Sequence, residues 1–162
     1  MKKSRYDDYS FDDKKKHRKK EWKREHMAGG FRCSHCKTWV IINDYMGTVN
    51  RNHCPHCLWS KHVDERKGDR EATCQGGMKP IGLTFKHEGQ AKQGELMLVH
   101  ECAGCGKLSI NRIARDDGDD NLLQLFAWSC QDDQLALRLE TQGVRLLQTG
   151  DEREVRVQLF GQ

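Results

Sequence analysis

Seven of the eight cysteines lie between residues 33 and 105, and four of them form the array Cys33-x2-Cys36-x17-Cys54-x2-Cys57. In each Cys-x-x-Cys a tight turn brings both thiolates to one side of the backbone. Two such turns supply the tetrahedral all-sulphur ligand set that Zn2+ accepts readily. These four cysteines are expected to hold one zinc ion. A closed set of four thiolates has no open position for water or substrate, so the site reads as structural.

A second site starts from Cys102 and Cys105, with Cys74 as the natural third ligand. No cysteine remains for the fourth position. His62 suits it as the partner of Cys74 in the first half of a ribbon, and His100 suits it because residues 100 and 102 share one face of a strand. If neither ligates, three thiolates and a water would make an open site of the hydrolytic or deaminating kind. Zinc deaminases place His-x-Glu or Cys-x-Glu upstream of Pro-Cys-x-x-Cys. No such motif precedes Cys54 or Cys102, and Glu101 follows His100 directly. An enzyme is therefore not expected, no catalytic residue is assigned, and the cofactor is one or two Zn2+. Cys130 stands apart as a small buried thiol. The acids Asp116, Asp117, Asp119 and Asp120 around Gly118 read as solvated turn and cap residues.

The elements that must carry these ligands are short β-type runs at 38–42, 81–85, 96–99 and 108–113. The last two flank Cys102-Ala103-Gly104-Cys105-Gly106, where Gly106 can take the positive φ that turns the chain beneath a metal. Hydrophobic residues make up only 36% of the chain and charged residues 32%, so metal cross-links are expected to supply stability that a thin core lacks. The expected fold is small, metal-stabilised and β-rich: two zinc-ribbon-like modules in tandem over 31–120, then an extension over 121–162. Helical spacing covers 121–128 with an Asp or Asn N-cap, and a further amphipathic stretch covers 134–140. Two alternating runs at 144–148 and 154–160, joined through Thr149-Gly150-Asp151-Glu152, read as a C-terminal β-hairpin.

Residues 1–30 hold 11 of the 28 Lys+Arg and 6 of the 24 Asp+Glu, a net of +5, while the remainder carries 17 and 18, a net of −1. With almost no aliphatic residues, this basic tail is expected to be disordered, with a helix at about 13–26 on contact with a partner. It has no apolar leader, and no run of about 18 apolar residues occurs anywhere. Cysteines spaced in pairs read as metal ligands before disulfides, so a soluble, cytoplasmic protein is expected.

At residues 51–55 the chain reads Arg51-Asn52-His53-Cys54-Pro55, continuing through Cys57-Leu58-Trp59-Ser60-Lys61-His62-Val63-Asp64. Further on come Gly68-Asp69-Arg70, Cys74, Met78-x-Pro80-Ile81-Gly82, His100-x-Cys102-x2-Cys105-Gly106, Asn111-Arg112-Ile113-Ala114 and Asp116-Asp117. Over roughly 31–121 this resembles the RNHCP family of small bacterial proteins named for that pentapeptide. The resemblance implies a cysteine-rich, zinc-ribbon-like domain and no particular reaction, and it favours a metal-site role for His62 or His100. Beside the ligand Cys54, His53 or Arg51 could hydrogen-bond a thiolate, and Arg51 could instead contact phosphate.

A metal-stiffened module with a basic arm points to RNA, with the ribosome or another ribonucleoprotein as the destination. Lys14, Lys15, Lys16, Arg18, Lys19, Lys20, Lys23 and Arg24 would neutralise phosphates, and Trp22 would stack on a base. Arg51, Lys61 and Arg112 on the ribbon edges would add shape-dependent contacts. Duplex DNA is disfavoured, since the ribbon region offers no recognition helix. The alternative is a protein-interaction adaptor that presents an apolar face of the C-terminal segment.

Overall fold

The computed structural model describes residues 13, 16, 17, 20, 23, 24, 27, 29–48, 51–66, 68–87 and 93–161. Two sheets are present among them. Strands β1 (Gly30–Arg32) and β2 (Trp39–Ile41) pair antiparallel, Phe31 opposite Val40, and enclose the first Cys-x-x-Cys. Strands β3 (Ser60–Lys61), β4 (Gly77–His87), β5 (Gln93–Cys102) and β6 (Leu108–Arg112) form an antiparallel meander in sequence order. Pro80 lies in β4 beyond the end of the β3 pairing, where a missing N–H breaks no ladder, and a bulge follows between Pro80 and Gly82.

Three helices follow: α1 (Asp119–Ser129), α2 (Asp133–Glu140) and α3 (Glu152–Phe160). Gly118, not an Asp or Asn, is the N-cap of α1; Asp119 and Asp120 occupy its first turn, where carboxylates complement the helix dipole. Helices cover both faces of the meander. Leu83, Leu96 and Leu98 pack with Leu58, Leu122, Phe126, Leu147 and Val155 on one side. Ile81 and Val99 pack with Leu135, Leu139, Val144 and Leu146 on the other. Four of the eight buried residues in the first cluster and four of the six in the second come from beyond residue 121, so the C-terminal segment and the sheet share their core.

The expected C-terminal hairpin is not formed. Residues 152–160 are helical because Val155 and Leu159 lie on one helical face as well as on one strand face, and the helix ends are better satisfied. Gln148 and Asp151 form a reciprocal capping box over a 3-10 turn at Thr149–Asp151, Arg156 pairs with Glu152 at i,i+4, and Gly161 closes the helix at φ 72°. Residues 144–148 form no strand ladder, but the Leu147 N–H donates to the Leu83 carbonyl at 3.0 Å. Leu146 therefore enters one core cluster and Leu147 the other.

In the basic segment Asp13, Lys16, His17, Lys20, Lys23, Arg24 and Met27 are helical and exposed. Lys14, Lys15, Arg18, Lys19 and Trp22 lie outside the described residues. No helix among the described residues is long and apolar enough to cross a membrane.

Candidate metal centres

Three Cys-x-x-Cys turns repeat one backbone pattern. The N–H four residues after the first cysteine donates to that cysteine's carbonyl: Lys37 to Cys33 at 3.1 Å, Leu58 to Cys54 at 2.8 Å, Gly106 to Cys102 at 2.9 Å. The first cysteine's own N–H donates to the carbonyl five residues on, at Thr38, Trp59 and Lys107, each at 2.9 Å. The residue after the second cysteine is left-handed each time, with φ of 64° at Lys37, 59° at Leu58 and 74° at Gly106. Gly106 takes that conformation freely, whereas a side chain there costs of order 1–2 kcal/mol. Leu58 is held in it by burial among the core leucines and by its carbonyl, which accepts from His100 Nε2 at 2.6 Å.

These turns bring two groups of donors together. In each of the sets Cys33, Cys36, Cys54, Cys57 and His62, Cys74, Cys102, Cys105, all ligand atoms lie within 4.8 Å of one another. In the first, Cys33 Sγ and Cys57 Sγ are 3.7 Å apart, and Cys36 Sγ and Cys54 Sγ 3.6 Å. A disulfide would need about 2.05 Å. Four sulphurs at about 2.3 Å from a tetrahedral ion stand about 3.8 Å apart, which is close to what is found. The second set gives 3.6 Å for Cys74 to Cys102 and 3.4 Å for Cys105 Sγ to His62 Nδ1. The mixed sulphur–nitrogen edge expected around such an ion is about 3.6 Å.

The electrostatics suit a cation. Hydrogen bonding by Thr38 brings Cys36 down to about 6, while burial pushes Cys54 and Cys57 up. At Cys102 burial works upward, but the N–H groups of Cys105 and Gly104 outweigh it and bring the thiol to about 6. The easily ionised Cys36 thus stands beside the raised thiols of Cys54 and Cys57, and the easily ionised Cys102 beside Cys74, which the Gly76 N–H lowers but Cys102 and burial raise on balance; a bound metal would compensate such raised thiols. Gly76 and Gly104 leave room for the sulphurs: a Cβ at Gly76 would lie 2.9 Å from Cys102 Sγ, and one at Gly104 3.1 Å from Cys74 Sγ.

His62, not His100, stands with the second group. Its N–H donates to the Gly76 carbonyl at 2.9 Å, which sets it beside Cys74. His100 is fully buried, and burial brings its ring down to about 4, so it is neutral near pH 7. Lys107, just past the third turn, ties the His62 loop to the Cys105 turn: its ammonium donates to the Glu65 carboxylate at 2.8 Å and to the Glu65 carbonyl at 2.5 Å. That bond is also the main reason the Glu65 carboxyl titrates below its usual range. Lys107→Ala should weaken metal binding at the second centre about tenfold, as loss of an orienting partner does elsewhere. Competition with a coloured chelator would measure it, and an unchanged affinity would show that the loop orients His62 unaided.

The residues beside Cys54 build a buried polar network instead of touching sulphur. Arg51 is not on a ribbon edge. Its guanidinium is enclosed and forks onto Asp116 at 2.6 and 2.6 Å and onto Asp117 at 3.0 Å. His53 Nε2 meets the second oxygen of Asp117 at 2.7 Å, and that oxygen also accepts the Ala114 N–H at 2.7 Å. Asp117 is thus a buried partner of Arg51 rather than a solvated turn residue, whereas Asp116 stands in the turn half exposed and reaches the same guanidinium. Burial pushes Asp116 up, but the Arg51 hydrogen bond and charge prevail and hold it below its usual range.

The network continues through the side chains that follow. Asn52 Nδ2 donates to Asn111 Oδ1 at 2.6 Å, and Asn111 Nδ2 donates to His100 Nδ1 at 2.9 Å. Because the Leu58 carbonyl can only accept, His100 carries its proton on Nε2 and accepts on Nδ1. Asn52 Oδ1 is then left facing His53 Nδ1 at 3.1 Å. Asp117, Asn111, Lys107 and Gly76 were not singled out from sequence as parts of a site. Their partners Arg51, His100, Glu65 and His62 lie 11 to 66 residues away, and no local pattern reports such pairings.

Of the proposed nucleic-acid contacts, Lys23, Lys61 and Arg112 line one open groove of about 870 Å³, together with Arg66, Arg70, Lys86 and Lys107. The acids bordering the same groove are Asp64, Glu65 and Asp69. Arg112 pairs with Glu95 at 3.0 Å, both half exposed. No curated protein and no solved structure is similar enough to this chain to count as a match. The family model described as the RNHCP domain matches residues 28–123, a span that contains both cysteine groups, the Arg51–Asp117 network and all six strands. The chain, with two donor groups that could each hold a metal ion, belongs to the RNHCP family.

Proposed function

We propose that this chain is a non-enzymatic zinc protein of two tandem ribbon-like modules that binds RNA in the cytoplasm, within the ribosome or another ribonucleoprotein. The observation that carries the reading is the groove: seven Lys and Arg residues against three acids, and among the seven are Lys61 and Arg112 from the sheet and Lys23 from the basic segment. Such an excess in one concavity attracts a polyanion and releases its counterions. Zinc suits both centres because thiolate and imidazole donors at tetrahedral spacing are its preferred set. Each centre supplies four protein donors, which leaves no coordination position for a substrate and favours a structural role.

The test is anisotropy of a labelled RNA strand titrated with the full chain over a range of salt. Log Kd should rise linearly with log salt, and Lys61→Ala with Arg112→Ala should lower that slope by about 1.4, or about 0.7 for each phosphate no longer neutralised. Deleting residues 1–28 should reduce both affinity and slope. Binding indifferent to salt, or unaltered in these variants, would overturn the reading. The adaptor alternative draws on Trp128, Leu137, Val157 and Phe160, which are exposed on the C-terminal helices. Partners that persist in a pull-down after nuclease treatment, with no nucleic acid co-purifying by absorbance at 260 nm, would favour it.

A further inference from the structure

The hairpin of the first centre has two dissimilar faces. Phe31 and Val40 turn inward and pack on Cys33 and Cys54. Gly30, Arg32, Trp39 and Ile41 share the outer face, since Gly30 pairs with Ile41 and Arg32 with Trp39. Trp39 is 45% exposed and Ile41 59%. Tyr45, in the 3-10 turn that follows, is 83% exposed. Trp39 and Ile41, large apolar side chains exposed on one face of the hairpin, mark a contact surface.

The indole is not loose. It lies over Gly30, so close that a Cβ there would stand 2.9 Å from Trp39 Nε1 and 3.0 Å from Cε2. Because Gly30 has no side chain, the ring rests on the hairpin backbone, and the turn of that hairpin carries Cys33 and Cys36 of the first centre. Arg32, opposite Trp39, is anchored by its bond from Nη1 to the Lys37 carbonyl at 2.9 Å. From residue 29 to 43 the hairpin carries Arg32 and Lys37 and no acid.

An indole held in place, flanked by cations and free of acids, matches the chemistry of an unpaired base and its phosphate. We propose that the outer face of β1–β2 is a stacking platform for single-stranded RNA, with Trp39 receiving a base and Arg32 and Lys37 its phosphates. This rests on the RNA reading above and adds to it a preference for single strands, because duplex bases present no free face to an indole.

The experiment compares a labelled twelve-nucleotide uridine strand with a duplex RNA of equal length, for the native chain, Trp39→Ala and Trp39→Phe. Metal content and circular dichroism serve as fold controls, and Trp39 is exposed enough for the variants to fold. Trp39→Ala should lose about 5- to 150-fold on the single strand, since one stacked base is worth about 1–3 kcal/mol and 1.4 kcal/mol is tenfold. It should lose nothing on the duplex, and Trp39→Phe should recover most of the affinity. If Trp39→Ala binds the single strand as the native chain does while Lys61→Ala with Arg112→Ala weakens both ligands, the platform is refuted and the RNA reading stands. A native chain that binds neither RNA at low salt would remove both.

Discussion

Replacing Cys54 with serine should empty the first centre and unfold β1, β2 and the turn between them while the four-stranded sheet stays intact. Cys54 is fully buried, and the apolar material around it is slight: Cys33 and Val40 buried, Phe31 and Cys57 partly so. Two strands of three residues each are too short to stand alone. A structural zinc contributes about 10–16 kcal/mol of apparent folding free energy near neutral pH, which is far more than this cluster can offer. The second centre differs. Cys102 and Cys105 sit at the end of the β5–β6 hairpin, and those strands belong to a sheet whose two faces are already covered by leucine-rich packing. Cys105→Ser should therefore release a metal with local fraying only. In both variants metal content should fall from two to one. Hydrogen exchange should show the amides of β1 and β2 unprotected in Cys54→Ser and the amides of β4 and β5 protected in both. Protected β1 and β2 amides in Cys54→Ser would mean that the metal does not organise this module.

The same contrast explains what could be read from the residues alone. A Cys-x-x-Cys turn is closed by its own backbone hydrogen bonds, so spacing suffices to place two thiols side by side, and Gly106 announces its left-handed turn by being glycine. The choice between His62 and His100 is not local. Both stand near a ligand in sequence, and it is decided by β3 laying His62 along the start of β4 while Asn111 and the Leu58 carbonyl claim the His100 ring. In α3 the residues Val155, Val157 and Leu159 satisfy a period of two, but Val155 and Leu159 also satisfy i,i+4, and the capping box at Gln148 and Asp151 decides for helix. Arg51 is a surface cation by type and a buried one by partner, because Asp116 and Asp117, 65 and 66 residues on, return to enclose it.

That enclosure leads to the other large effect, expected for Asp117→Ala. The carboxylate receives Arg51 Nη2, His53 Nε2 and the Ala114 N–H, and neither it nor the Arg51 side chain is exposed at all. Arg51 already has one buried donor, Nε, without a partner among the described residues. Removing Asp117 would leave that cation held by Asp116 alone and the His53 ring without its acceptor. Breaking one side of a buried ion pair costs about 3–5 kcal/mol, whereas half-exposed carboxylates contribute about 1 kcal/mol or less. For a chain of this size the loss corresponds to a fall in Tm of about 6–20 °C. Asp116→Ala should cost far less, because the Asp116 side chain is 48% exposed and Arg51 keeps Asp117. The damage should also reach the first centre, since His53 adjoins Cys54 and the Pro55 carbonyl accepts the Gly118 N–H at 3.3 Å, just beyond Asp117. Metal affinity there should drop about 10- to 100-fold, as when an orienting partner is lost. Urea melts and chelator competition on the two alanine variants separate the effects. Equal destabilisation by both would show that the network works as a surface ion pair, and a stable Asp117→Ala chain with a loosened first centre would confine its role to placing the Cys54 turn.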